Sequence, residues 1–150
     1  MPLRYNYDKP EKPRITGPLA IVGILAAFVI SIFDDDAFVM MPQIRIQREI
    51  LESDTTRHLY VIRIVPEQLN CTRKEFFDAL YKENVCPQVH YLPVYWHSYY
   101  ESLGYKKGLC PNAESFYEEA MSIPLYFSMT DKDVEDVITA VKKVVEYYKK

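Results

Sequence analysis

HLYVIRIVPEQLNCTRKEFFDALYKENV, residues 58 to 85, is the stretch that decides the fold. Residues 58 to 65 are almost all β-branched, aromatic or aliphatic, and they stop at Pro66, which cannot donate to a sheet ladder. That pattern predicts a largely buried strand. After a turn, Thr72 and Glu75 form a T-x-x-E capping box, in which each residue satisfies an unpaired amide of the other at the start of a helix. Phe76, Phe77, Leu80 and Tyr81 then recur at helical spacing, so the segment predicts a helix that lays one apolar face on the strand and ends before Cys86 and Pro87.

Working toward the carboxy terminus, QVHYL (88 to 92) predicts a short second strand that stops at Pro93. The stretch from there to Pro111 holds the turn residues Gly104 and Gly108 and keeps no lasting period, so it predicts a structured loop. Asn112 is placed to cap a helix with the stripe Ala113, Phe116, Tyr117, Ala120 and Met121, and SIPLY (122 to 126) predicts an extended exit. The last element is the clearest. Thr130 caps it, Asp131 and Asp133 sit at its positive end, and Val134, Val137, Ile138, Val141, Val144, Val145 and Tyr148 mark one face. Strand, helix, strand, loop, helix, short strand and helix make an α+β layer arrangement, a small sheet with helices on one side.

Composition bounds what such a fold can do. The chain of 150 residues is 49% hydrophobic and 26% charged, the balance of one domain with an ordinary core. Its net charge of -3 comes from acidic and basic residues mixed along the chain. No basic stripe is present to neutralise a phosphate backbone, which argues against nucleic acid as a partner. Cys71, Cys86 and Cys110 are an odd set without C-x-x-C spacing, which suits a reduced, cytoplasmic protein. Thirteen tyrosines against four glycines favour a packed, partly wet cleft or interface, because tyrosine joins an apolar ring to a hydroxyl that needs a partner.

The amino-terminal part has a different character. Residues 1 to 14 are rich in proline and charge and predict an irregular tail, and residues 15 to 41 form an apolar segment and linker ahead of a folded domain over 42 to 150. ITGPLAIVGILAAFVISIF (15 to 33) carries no charge and is close to the ~20 residues that span a bilayer as a helix. Arg4, Lys9, Lys12 and Arg14 precede it and Asp34, Asp35 and Asp36 follow it, so a spanning helix would leave the amino end in the cytoplasm. The free cysteines and the lack of an A-x-A cleavage pattern speak against export. A buried helix or hairpin, a membrane anchor and a foreign joint in the chain all remain open readings of this run.

A search for chemistry returns little from spacing alone. Cys86-x-x-x-His90 contains Pro87 and a predicted strand start, so no helical ligand pair forms, and no metal site is expected. No cysteine is singled out as a nucleophile, the glycines form no phosphate loop, and the acidic pairs read as solvated helix faces. No catalytic residue is expected. The aromatic segment HYLPVYW, with YY and GYKKG behind it, offers rings and hydroxyls beside Lys106 and Lys107. Such a set can contact a sugar or base and a phosphate, or can simply pack the loop onto the sheet or a second subunit.

Residues 58 to about 149 carry HLYVIRI, RKEFFDALYKENV, QVHYLPVYWHSYY, LGYKKGLCPNAESFYEEAMSIPLY and MTDKDVEDVI in this order. In these words the chain resembles the carboxy-terminal small domain of the DegT/DnrJ/StrS sugar-nucleotide aminotransferases, most closely the subgroup that aminates a UDP-linked 4-keto sugar in pseudaminic acid biosynthesis. The resemblance implies the small domain of the aspartate-aminotransferase fold, pyridoxal phosphate as the family's cofactor, a nucleotide-sugar as ligand, and a homodimer. It also implies that His90, Tyr91 and Tyr99 lie on the substrate side. The family's large domain, with its Schiff-base lysine, ring-nitrogen aspartate and phosphate-binding residues, has no counterpart here. The resemblance therefore implies a truncated or separated small domain, inactive alone, that meets a nucleotide-sugar, a large-domain partner chain or a second copy. The alternative is a membrane-tethered or hydrophobically docked interaction module without catalysis.

Overall fold

The computed structural model describes residues 36–48, 52 and 58–150. The strand expected from residue 58 is β2, Tyr60–Ile64, and it is the centre of a three-stranded antiparallel sheet. On one side it pairs with β1, Ile44–Ile46, in the register Ile44↔Ile64 and Ile46↔Ile62. On the other it pairs with β3, Ala120–Ile123, in the register Tyr60↔Ile123 and Ile62↔Met121. Side chains alternate across a strand, so Tyr60, Ile62, Ile64, Met121 and Ile123 share one face and are buried.

That face is sealed by two helices that the sequence anticipates. The first, here α2, runs Arg73–Lys82 behind the complete Thr72–Glu75 capping box, and it buries Phe76 and Leu80. Phe77 is half-buried and Tyr81 is exposed, so the apolar face of α2 is narrower than the four-residue stripe suggests. The last helix, α5, runs Asp131–Tyr148 behind a Thr130–Asp133 capping box and buries Val134, Val137, Val141, Val144 and Val145. Full burial of each such side chain contributes about 1.5–3 kcal/mol, which makes the α2–α5 layer over the sheet the main source of stability. Its far end is tied down where the Asn70 amide donates to the Tyr148 carbonyl at 2.7 Å.

Several elements differ from the sequence expectation. Residues 88–92 form no strand: only Gln88 bridges to Ser122, through two backbone hydrogen bonds of 2.9 and 2.8 Å. Pro87 and Pro93 bracket this segment and deny it ladder donors, which limits the pairing to one residue. The helix expected from Asn112 starts earlier. Its N-cap is Cys110 and Pro111 occupies the first turn, where a missing amide costs nothing, giving α4 over Pro111–Glu119. Ala120 and Met121 continue the helical period in sequence but belong to β3, because pairing with β2 claims their backbone. The loop between Pro93 and Pro111 contains a 3-10 turn over Val94–Trp96 and a short helix α3 over Ser98–Ser102. Two further elements were not anticipated: β1 itself, and α1 over Asp36–Val39, which places the fully buried Phe38 in the core ahead of residue 42.

Among the described residues no helix is long and apolar enough to cross a membrane. The apolar run of 15 to 33 lies outside the described residues.

Candidate functional site

The second face of the sheet is built from the alternate residues of the same strands. It carries Arg45 on β1, Val61 and Arg63 on β2, and Ser122 on β3. Ser122 is the one buried polar residue of the described core, and its hydroxyl lies 2.7 Å from Nε2 of His90. This contact fixes the imidazole against the sheet, and it explains why a serine is tolerated in an otherwise apolar strand. The other ring nitrogen, Nδ1, is buried and has no partner among the described residues. A buried nitrogen of this kind lacks the hydrogen bond that buried polar groups ordinarily make.

His90 and Tyr91 are brought together, with ring centroids 4.7 Å apart and edge-on. Tyr91 is 75% exposed and Tyr99, on α3, is 67% exposed. The ring partner of Tyr99 is Tyr100, at 5.3 Å, so the structure puts it on the same loop as His90 and Tyr91 without joining it to them. The aromatic segment thus divides. Some rings do pack the loop: Trp96 meets Tyr117 of α4 at 5.5 Å, Arg73 of α2 lies over Tyr117 at 4.9 Å, and Lys107 lies over Trp96 at 4.2 Å. Stacked cations of this kind contribute about 0.5–1 kcal/mol each at exposed sites. Others, including Tyr91, Tyr99 and Tyr105, present open apolar surface, as does the neighbouring Leu109.

Glu114 holds the loop in shape, a role sequence reasoning missed. Its Oε1 accepts from the Tyr95 hydroxyl at 2.5 Å and from the Gly108 amide at 2.6 Å, while the Tyr95 oxygen accepts from the Cys110 amide at 3.2 Å. Gly108 has a φ of +92°, a conformation that a residue with Cβ rarely adopts, so the glycine lets its amide turn toward the carboxylate. Hydrogen bonding to Tyr95 holds the Glu114 carboxyl below its ordinary range. Loss of water around the phenol, followed by the Glu114 hydrogen bond, pushes Tyr95 up to about 12. The signal available in the sequence was an acid in the first turn of a helix that follows a glycine-bearing loop.

Beside this loop, α4 lies over the second face. Glu119 Oε2 accepts from Arg63 Nε at 3.1 Å and Nη2 at 2.6 Å, and Arg45 Nη1 is 3.8 Å from the same oxygen. Phe116 sits on the Arg63 guanidinium at 5.3 Å.

A pyridoxal phosphate site needs a lysine amine that can become neutral, a carboxylate for the ring nitrogen, and donors around a phosphate. Lys74, Lys132, Lys143 and Lys149 pair instead with Asp78, Asp136, Glu83 and Glu146, and Asp136 holds Lys132 above its ordinary value. Lys150 donates to the Pro66 carbonyl, and Lys82, Lys106 and Lys142 are exposed. Gly104 and Gly108 face open space rather than a cradle. The described residues do not by themselves fit the cofactor. They also contain no cluster of side chains suited to a metal ion.

Comparison with known proteins bears on the fold and the family. Residues 34–142 match the model of the DegT/DnrJ/EryC1/StrS aminotransferase family. The spore coat polysaccharide biosynthesis protein SpsC of Bacillus subtilis is 44% identical over 91 residues, which are 59% of this chain and 23% of that protein. The UDP-4-amino-4,6-dideoxy-N-acetyl-beta-L-altrosamine transaminase of Campylobacter jejuni is 36% identical over 96 residues, 64% of this chain and 25% of the enzyme. The sugar aminotransferase Spr1654 of Streptococcus pneumoniae, in its PMP form, superposes with a TM-score of 0.75 at 27% identity, over 86% of this chain and 33% of that one. This chain therefore spans only about a quarter of the curated relatives' length and a third of the solved chain's. With the family model matching well over half of its residues, the chain belongs to the DegT/DnrJ/EryC1/StrS aminotransferase family.

Proposed function

We propose that this chain is the small-domain part of a pyridoxal-phosphate-dependent nucleotide-sugar aminotransferase. In this reading the folded unit over 42–150 offers His90, Tyr91 and Tyr99 to a UDP-linked 4-keto sugar. The observation that carries it is the His90–Ser122 contact, which anchors an imidazole on the polar face of the sheet at the root of an exposed aromatic loop. The name of the Campylobacter jejuni relative supports a UDP-linked amino sugar as the ligand class.

When bound in a complete enzyme, the cofactor carries the amino group between donor and sugar. The residues of this chain would do something else. A shift of the loop opens the buried His90 Nδ1 to a sugar hydroxyl or carbonyl, and Tyr91 and Tyr99 supply flat apolar faces that a sugar ring can rest on. The chain alone is inactive, because none of its described lysines is free of carboxylates and enclosed at once. A large domain supplies the cofactor site, in the cytoplasm.

The test has two readings. Titration of the chain with a UDP-linked 4-keto sugar should shift the His90, Tyr91 and Tyr99 signals in NMR spectra. The His90→Ala variant should bind roughly tenfold more weakly, the cost of one lost hydrogen bond to a buried group. Pyridoxal phosphate added to the chain should give no visible band of a lysine-bound cofactor after dialysis. Binding that leaves the loop signals unmoved, or a dialysis-resistant band that responds to glutamate, overturns the proposal.

A further inference from the structure

His90 stands two residues after Gln88, and Gln88 is bound to Ser122 through its backbone amide and its carbonyl. Ser122 is also paired with Val61 of β2, so the strand and the root of the loop hold each other in register where the Ser122 hydroxyl and His90 Nε2 meet at 2.7 Å. We propose that Ser122 is a positioning residue that holds His90 as its Nδ1–H tautomer, so that His90 offers a ligand a hydrogen-bond donor and selects a group that only accepts, the keto oxygen of the sugar. The tautomer follows from the contact geometry. The keto oxygen rests on the nucleotide-sugar reading above and deepens it by naming the sugar atom that His90 meets.

A neutral imidazole carries one hydrogen, and the bond made at one nitrogen decides which nitrogen holds it. Ser122 is 4% exposed, and its hydroxyl has no partner among the described residues other than Nε2. If the hydroxyl donates, Nε2 is the bare nitrogen and accepts, and only the Nδ1–H is left without a partner. If Nε2 holds the hydrogen and donates, the hydroxyl hydrogen is stranded in the sheet and the Nδ1 lone pair is stranded as well. A ring protonated on both nitrogens strands the hydroxyl hydrogen and the Nδ1–H together. One unpaired buried group against two favours the first arrangement, by roughly tenfold for the extra group. Nδ1 has no partner among the described residues that could oppose this choice.

A fixed donor sorts ligand groups by what they can do. A hydroxyl donates and accepts and so satisfies either tautomer, an ammonium only donates and is refused by an Nδ1–H, and a carbonyl only accepts and requires one. Fixing the tautomer therefore separates a keto sugar from the amino sugar made from it, because a site built to bond one group is left unpaired by the other. The ring is also braced: Tyr91 lies edge-on to it at 4.7 Å, so the imidazole is held by a hydrogen bond and by an aromatic contact.

The first measurement is nitrogen-15 NMR of the imidazoles in the full chain at mildly alkaline pH, with His90 assigned through His90→Gln. Nδ1 should show the shift of a protonated nitrogen and Nε2 that of a bare one, the Nδ1–H form leading roughly tenfold. A leading Nε2–H form overturns the proposal. Ser122→Ala removes the hydroxyl and keeps the backbone bridge to Gln88, so the Nε2–H form should become populated. An unchanged tautomer in that variant overturns the positioning role, and the wild-type shifts decide the tautomer whether or not the variant folds. Titration with a UDP-linked 4-keto sugar, its 4-amino counterpart and UDP then tests the ligand. The keto sugar should bind roughly tenfold tighter than the amino sugar and move the Nδ1 signal, and Ser122→Ala should bring the two toward parity. Equal binding of the two sugars, or UDP alone moving Nδ1 as far, overturns the keto assignment. The two readings fail separately. An Nδ1–H tautomer in a chain that binds none of the three ligands removes the nucleotide-sugar reading and leaves the positioning role standing. A sugar nucleotide that shifts the loop of a chain whose His90 is the Nε2–H form removes the positioning role alone.

Discussion

The two faces of one small sheet have been put to opposite uses. On the first, Tyr60, Ile62, Ile64, Met121 and Ile123 disappear beneath α2 and α5, and the described core contains no unsatisfied polar group there. On the second, the same strands present Arg45, Arg63, Val61 and Ser122, partly covered by the short α4 and the root of the aromatic loop. Alternation at period two is all that separates them, so a single strand such as β2 supplies both packing and polar groups. The first face fixes the fold and leaves nothing for a ligand to contact. The second contributes little burial, and its polar groups are held in place by each other.

The largest effect available should come from the sealed face. Phe76 is fully buried between α2 and the sheet, and Phe76→Ala should cost about 3–5 kcal/mol, enough to unfold much of the population at 25 °C. A urea melt followed by circular dichroism reads it directly. A loss under 1 kcal/mol would mean that the two faces share the work of stability more evenly than their burial indicates. The second face should respond differently. Arg63→Met strands the largely buried Glu119 carboxylate and should cost about 1–3 kcal/mol, while adding Glu119→Met to it should restore most of that, because the pair is replaced by apolar contact with Phe116. Full restoration in the double variant would show that the ion pair is not needed for the fold. No restoration would make it a structural element and weaken the contrast between the faces.

How much of this the sequence discloses depends on whether a feature is local. The capping boxes at Thr72–Glu75 and Thr130–Asp133 are local, each complete within four residues; the first is present as read, and the second adds a reciprocal Asp133 bond to a helix whose cap, Thr130, was read. The β2 strand is legible because four of its five residues are β-branched or aromatic and a proline follows two positions after it. What the sequence hides are pairings between distant segments. β1 is only Ile44–Ile46, too short to show a period, and it exists because β2 lies beside it. Ala120 and Met121 keep the helical spacing of α4, yet the sheet ends the helix one residue before them. In the candidate site, His90 and Tyr91 could be singled out by resemblance, but Ser122 could not, since only the Gln88–Ser122 bridge brings it to the imidazole. Glu114 was hidden for the same reason: its partners are 6 and 19 residues away, across a loop with no period.

The smallest effect on overall stability, and the sharpest on the second face, should come from Glu114. Its carboxyl lies below the ordinary value of 4.5 in the folded chain, chiefly because the Tyr95 hydroxyl donates to it. A depressed carboxylate contributes stability that is present above the unfolded value and lost as pH falls through the folded one. The loop from Tyr95 to Cys110 should therefore loosen as the solution is taken below pH 4.5, whereas on the first face acid reaches the exposed capping carboxylates Glu75 and Asp133, also held below their ordinary values, and leaves the apolar packing beneath them in place. Hydrogen exchange at the Gly108 and Cys110 amides reads this. Both amides should lose protection on acidification while those of β2 keep theirs. Glu114→Gln keeps an acceptor oxygen and removes the charge, so it should hold the loop at neutral pH and abolish the acid dependence, and the Tyr95 phenol should titrate below its present value of about 12 while staying above its ordinary one, because loss of water is the larger cause of its shift. Glu114→Ala should free the loop at every pH. If the glutamine variant instead loosens the loop as much as alanine, the charge and not the acceptor geometry holds it. If β2 loses protection together with Gly108, the two faces melt as one unit and the division drawn between them does not extend to their dynamics.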